Sequence, residues 1–168
     1  ISESWDNIDF VVHALAYSDK EELKGKYVNC SRENFLNSLD ISAFSFTRTA
    51  KSAFPLMSAN GGSLLTLSYL GAERTTPNYN VMGVAKSALE ASIKYLAMDL
   101  GKNNIRVNAV SAGPVKTLAG AAISGARHVY RFSKNVAPLK FNPELEEIGN
   151  SSLYLLSNLS SGVTGNIH

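Results

Sequence analysis

The chain has 168 residues, with 16 basic against 14 acidic side chains, a formal net charge of +2, and 45% hydrophobic content. That is enough chain for one packed core, and a charge so balanced, with no two basic residues adjacent, argues against a nucleic-acid or membrane-surface partner. The single cysteine, Cys30, excludes an internal disulfide, and no stretch approaches the roughly 20 apolar residues of a membrane span, so a reduced, cytoplasmic setting is expected.

The first segment, ISESWDNIDF, has neither the basic region nor the apolar core of a signal peptide, and it lacks an initiator Met. The chain therefore reads as a piece of something longer. Residues 8–14 (IDFVVHA) read as a short buried strand, and 17–31 as a polar loop. Residues 32–54 are helical in period, with Phe35, Leu39, Phe46, Ala50 and Phe54 on one broad face and Pro55 at or just beyond its end. NGG at 60–62 marks a turn, and SLLTLS (63–68) a continuous apolar strand. A long helix is predicted over 79–100, with Gly101 as a left-handed cap. IRVNAVSAG (105–113) is the next strand. A helix over 142–157 follows, with Asn142 as cap, Pro143 in the first turn, and Glu144, Glu146 and Glu147 at its positive end. GVTGNIH begins a last strand. Strands and helices alternate, and the strands are continuously apolar, which predicts an α/β fold: a parallel sheet covered by helices on both faces.

In such sheets ligands lie beyond the carboxyl ends of the strands, here around 13–17, 68–80 and 111–125. Tyr79 and Lys86 stand seven apart, about 20° apart around a helix axis. The pair reads either as an acid with an ammonium that lowers its pKa, or as a helix-start tyrosine beside a snorkelling lysine. Tyr69 follows the 63–68 strand and reaches the same sheet edge. AGPVKT (112–117) offers Lys116 and Thr117 to phosphate oxygens or is an ordinary turn. Residues 117–133 suit a lid over an apolar ligand or a loosely packed surface helix. His13, at a strand end, lacks companions at ligand spacing and reads as structural or pocket-lining rather than metal-binding. Glu73 and Arg74 can pair locally. A glycine-rich dinucleotide turn is absent from residues 1–30.

The stretch SLLTLSYLGAERTTPNYNVMGVAKSALEASIKYLAMDLG resembles the active-site region of the bacterial NADH-dependent enoyl-acyl-carrier-protein reductases, a divergent branch of the short-chain dehydrogenase/reductases. SRENFLNSLD, DISAFSF, NIRVNAVSAGPVKTLA and LYLLSNLSSGVTGNIH are similar to that family as well. Six residues between tyrosine and lysine, instead of the superfamily's three, are the specific mark of the branch. So is a tyrosine, here Tyr69, where ordinary members carry a serine.

The resemblance implies a Rossmann-type doubly wound sheet and reduction of the trans-2,3 double bond of an enoyl thioester carried on acyl carrier protein. It makes Tyr79 the hydrogen-bond donor to the developing enolate, and Lys86 the holder of the nicotinamide ribose. Tyr69 orients the acyl group. His13, Ala14, Val115 and Thr117 fall on the cofactor side, with Thr117 toward the pyrophosphate and Val115 near the nicotinamide amide. Met82, Ala119, Ile123 and Phe132 belong to the acyl pocket and its lid. No metal is implied. It further implies a homotetramer and one partial domain over 1–168, the C-terminal two-thirds of a family member, lacking its first strand-helix units and inactive alone. An ordinary carbonyl dehydrogenase of the superfamily and a non-catalytic interaction domain are the alternatives.

Overall fold

The computed structural model describes residues 3–115, 117 and 125–168. Three parallel strands lie in the order β1 (Phe10–His13), β2 (Gly62–Ser68) and β3 (Ile105–Ser111). Phe10 is in register with Ser63 and His13 with Thr66, while Gly62 pairs with Ile105 and Ser68 with Ser111. Parallel neighbours require crossovers, and helices supply them. They are α1 (Arg32–Leu39), α2 (Ser45–Met57), α3 (Asn80–Leu100), α4 (Ala126–Val136) and α5 (Leu145–Leu156).

The apolar runs of β2 and β3 resolve into two faces, because successive side chains point opposite ways. Leu64, Ile105, Val107 and Ala109 pack with Phe46, Ala50 and Met57 of α2 and Leu89 and Ile93 of α3. Leu65 and Val110 face the other way, against Leu155 of α5. The sheet is therefore covered on both sides, as its continuous hydrophobicity predicts. At the far edge of β3 the C-terminal segment begins another parallel pairing. Ala109 bridges to Ile167, and Ser111 N donates to His168 O at 2.7 Å. Among the described residues no helix is long and apolar enough to cross a membrane.

Several predicted boundaries are corrected. The helix expected over 32–54 is interrupted by a π-helical turn, Asp40–Phe44, and then runs on to Met57 with Pro55 inside it. The wider π turn shifts the helical phase, so the single predicted face divides. Phe35 and Leu39 pack around Tyr79, whereas Phe46, Ala50 and Phe54 join the main core. Gly101 is not left-handed (φ −58°); the chain passes into a short 3-10 turn, and Asn104 takes the positive φ of 56°. Asparagine tolerates that region better than other side-chain-bearing residues. Asn142 does not cap the last helix. It is buried, and its Nδ2 donates to Tyr130 O at 2.8 Å. Glu144 caps instead, in a reciprocal box with Glu147.

Candidate active site

The end of β2 and the start of α3 build the site. Tyr79 is the N-cap of α3, flanked by Asn78 and Asn80 at φ of 58° and 36°. Between these two positive-φ residues the tyrosine ring is turned inward, where it is only 7% exposed. Asn80 Nδ2 anchors this turn by donating to Glu22 O at 3.2 Å. Sequence reasoning missed Asn80; the signal available was the pair of asparagines in PNYN, the residue type that best accepts left-handed backbone.

Tyr79 packs in a cluster with Leu23, Val81, Met82 and Ala85, and with the half-buried Phe35, Leu39 and Tyr69. Its ring meets Tyr69 edge-on, with centroids 5.1 Å apart and planes at 61°. Two glycines admit the ring. A Cβ on Gly71 would lie 2.4 Å from Tyr79 Cδ1, and a Cβ on Gly83 would lie 2.8 Å from Gly71 O.

Lys86 lies two turns along α3 and is likewise 7% exposed. Its Nζ donates to Leu67 O at 2.7 Å. Burial pulls its pKa down to about 8, against the opposing charge of Glu90. Burial also pushes the Tyr79 phenol far above the ordinary tyrosine value, and Tyr69 adds to the rise. The expectation that Lys86 lowers the Tyr79 pKa is therefore corrected. Desolvation dominates, and the ammonium is committed to a backbone carbonyl. Tyr79 stays a neutral hydrogen-bond donor.

His13 is buried between Thr66 and Ser45, with Nδ1 3.2 Å from Thr66 Oγ1 and Nε2 2.7 Å from Ser45 Oγ. Its ring tilts against Phe46 at 5.3 Å. Burial, with a smaller push from the Lys86 charge, lowers its pKa. His13 thus ties β1 to β2 and α2. Ala14 follows it and is exposed; Val115 is half-buried; Thr117 is exposed, with its N–H on Val115 O at 3.0 Å. Met82 is buried beside Tyr79, but Phe132 on α4 is 60% exposed and outside that cluster. Lys116, Ala119 and Ile123 lie outside the described residues. Glu73 and Arg74 form no ion pair; both backbone amides donate to Leu70 O. A cavity of about 350 Å³ is lined by Tyr79 together with Tyr27, Arg74, Asn80 and Ser87, and neither Tyr69 nor Lys86 lines it.

This arrangement can hold a cationic donor and a neutral phenol at the carboxyl end of a parallel sheet. An ammonium has three N–H donors, and among the described residues Leu67 O takes one. The others suit vicinal hydroxyls, so the residues present fit the ribose half of a dinucleotide.

Comparison with known proteins agrees with this geometry. The chain is 58% identical over all 168 residues to an enoyl-acyl-carrier-protein reductase (NADH) of Rhizobium meliloti, covering 61% of that protein. It is 56% identical to the corresponding Rickettsia typhi enzyme, covering 64% of it. Among solved structures, FabI from Candidatus Liberibacter asiaticus superposes with a TM-score of 0.96 at 57% identity, over 99% of this chain and 64% of that one. The Anaplasma phagocytophilum reductase, solved in complex with NAD, superposes at 0.94 with 58% identity, over 99% of this chain and 63% of that one. The chain thus spans a little under two thirds of the relatives it matches. The sequence model for enoyl-(acyl carrier protein) reductase matches residues 1–168 from end to end, and the chain belongs to that family.

Proposed function

We propose that the protein of which these residues form part reduces the trans-2,3 double bond of enoyl thioesters on acyl carrier protein, using NADH. The observation that carries this is the Tyr79–Lys86 pair on α3: a phenol kept neutral by burial, and a lysine kept at the edge of charge, two turns apart. Bound NADH supplies the hydride. Lys86 holds the ribose hydroxyls, His13, Ala14 and Val115 border the nicotinamide side, and Thr117 meets the pyrophosphate. Tyr79 donates a hydrogen bond to the thioester oxygen as negative charge gathers there on hydride arrival at C3, which lowers the barrier without proton loss from the phenol, and uptake of a solvent proton at C2 completes the reduction. Tyr69 braces that ring and orients the acyl group. Met82, Ala119, Ile123 and Phe132 are assigned to the acyl pocket and its lid.

The 168 residues are read as the C-terminal part of one Rossmann-type domain, inactive alone, in a cytoplasmic homotetramer. Apolar side chains left open on α3 and near the chain end, Tyr95, Met98 and Leu159, support association. The test follows absorbance at 340 nm with full-length protein, NADH and a crotonyl thioester, beside Tyr79→Phe. Turnover that requires the double bond and falls about 100-fold or more in the variant is expected. Turnover of ketones but not of the enoyl thioester would move the assignment to a carbonyl dehydrogenase, and failure of folded full-length protein to bind NADH would end both.

A further inference from the structure

We propose that Glu90, tethered by Ser68, is a positioning residue that holds Lys86 in place and charged. The proposal rests on the reading above, in which Lys86 holds the cofactor ribose. Two consecutive residues at the end of β2 grip α3 at two points one turn apart. Leu67 O accepts from Lys86 Nζ at 2.7 Å, and the Ser68 hydroxyl donates to Glu90 Oε1. Residues four apart share a helix face, so both grips lie on the strip of α3 that meets β2. Ser68 is 5% exposed and Lys86 7%, so the contacts are made where water competes poorly. The residue after Ser68 is Tyr69, which stacks edge-on against Tyr79. The double grip therefore sets the rotation of α3 and the direction of the tyrosine pair together.

The placement of the carboxylate matters as much as its charge. Glu90 and Lys86 form no ion pair within bonding distance. A direct bridge would consume the ammonium donors that a ligand needs. Held one turn away on Ser68, Glu90 offsets the burial of Lys86 and leaves those donors open. The other titratable groups near Lys86 do not substitute for it. His13, on β1, can supply no negative charge; burial and the lysine charge lower its pKa, and the two tyrosines are kept protonated by burial. Glu90 is the anion acting on Lys86.

The experiment uses full-length protein without cofactor. Competitive acetylation across pH, read by mass spectrometry at Lys86, gives the lysine titration midpoint directly. NADH affinity is measured in parallel by fluorescence. Glu90→Gln keeps an acceptor for Ser68 and removes only the charge. The midpoint is expected to fall by about half a pH unit or more, with NADH affinity near the wild-type midpoint falling about twofold. Ser68→Ala keeps the charge and frees the carboxylate, and is expected to shift the midpoint in the same direction by less. An unmoved midpoint in folded Glu90→Gln overturns the proposal. If that variant does not fold, an unmoved midpoint in Ser68→Ala overturns it. Wild-type protein that turns over enoyl thioester while the Glu90→Gln midpoint stays put removes the role of Glu90 alone. Wild-type protein that binds NADH without turnover, with the midpoint shifted, removes the reductase reading and leaves Glu90 in its role.

Discussion

Gly71→Ala tests whether the Tyr79 ring is fixed by packing. The added methyl would sit 2.4 Å from Tyr79 Cδ1, 2.6 Å from Cε1 and 3.4 Å from Tyr69 Cδ1. Carbon atoms rest at about 3.5 Å or more, so roughly 1 Å of movement is required. The loop has little room to retreat, because Gly71 O already lies where a Cβ of Gly83 would come within 2.8 Å. The ring must therefore move, and it is buried against Leu23, Met82 and Tyr69. Overpacking of this kind costs about 1–3 kcal/mol, and a displacement of about 1 Å at a reacting group costs about 100-fold in rate. Thermal melting and the 340 nm assay on full-length protein measure both. Gly101→Ala is the control. Gly101 has helical φ and ψ (−58°, −35°), and a Cβ there meets nothing within 4 Å. That change is expected to stabilise by about 0.4–1 kcal/mol with unchanged turnover. Wild-type melting and turnover in Gly71→Ala would refute the claim that packing places the phenol.

Lys86→Met is expected to abolish cofactor binding yet stabilise the fold at pH 7. The folded pKa of Lys86 lies at about 8, below the ordinary lysine value of 10.5, so the unfolded chain binds more protons between those values. Stability of the wild type therefore rises with pH across that window, and the advantage of the methionine variant, up to about 3 kcal/mol below pH 8, shrinks by pH 10.5. Urea denaturation at pH 7 and 9.5 checks the sign. Arg106 donates Nη1 to Leu155 O and Ser160 Oγ at 2.7 Å each, and Nη2 to Ser157 O at 3.1 Å. Arg106→Lys is expected to lose about 1–3 kcal/mol, because an ammonium cannot reproduce the fork across the end of α5. A denaturation midpoint equal to wild type would reject that role. Ser31 caps α1, accepting from Asn34 N at 3.1 Å, while its own N–H and hydroxyl donate to Glu22 at 2.8 and 2.7 Å. Ser31→Ala is expected to cost about 1 kcal/mol, read by the same denaturation.

What the amino-acid order determined by itself was whatever repeats locally. Apolar runs and helical periods predicted the strand-helix alternation, the parallel sheet and the two-sided core, because backbone geometry imposes those periods wherever an element packs. The spacing of Tyr79 and Lys86 put both on one edge of a helix, and Tyr69 beside them. Tertiary structure decided what depends on distant partners. The phase shift at Asp40–Phe44 sends Phe35 and Leu39 to the tyrosine cluster and Phe46 to the sheet, a division invisible to a single helical period. Glu144 caps α5 in a reciprocal box with Glu147, while Asn142 lies two residues before it, buried with its Nδ2 on Tyr130 O. Above all, spacing suggested that Lys86 would ease the ionisation of Tyr79, and the fold did the reverse. Both groups are buried, the lysine is bound to Leu67 O, and Glu90 is bound to Ser68. A pKa follows from desolvation and from which charges stand near in space, and neither is written in the interval between two residues.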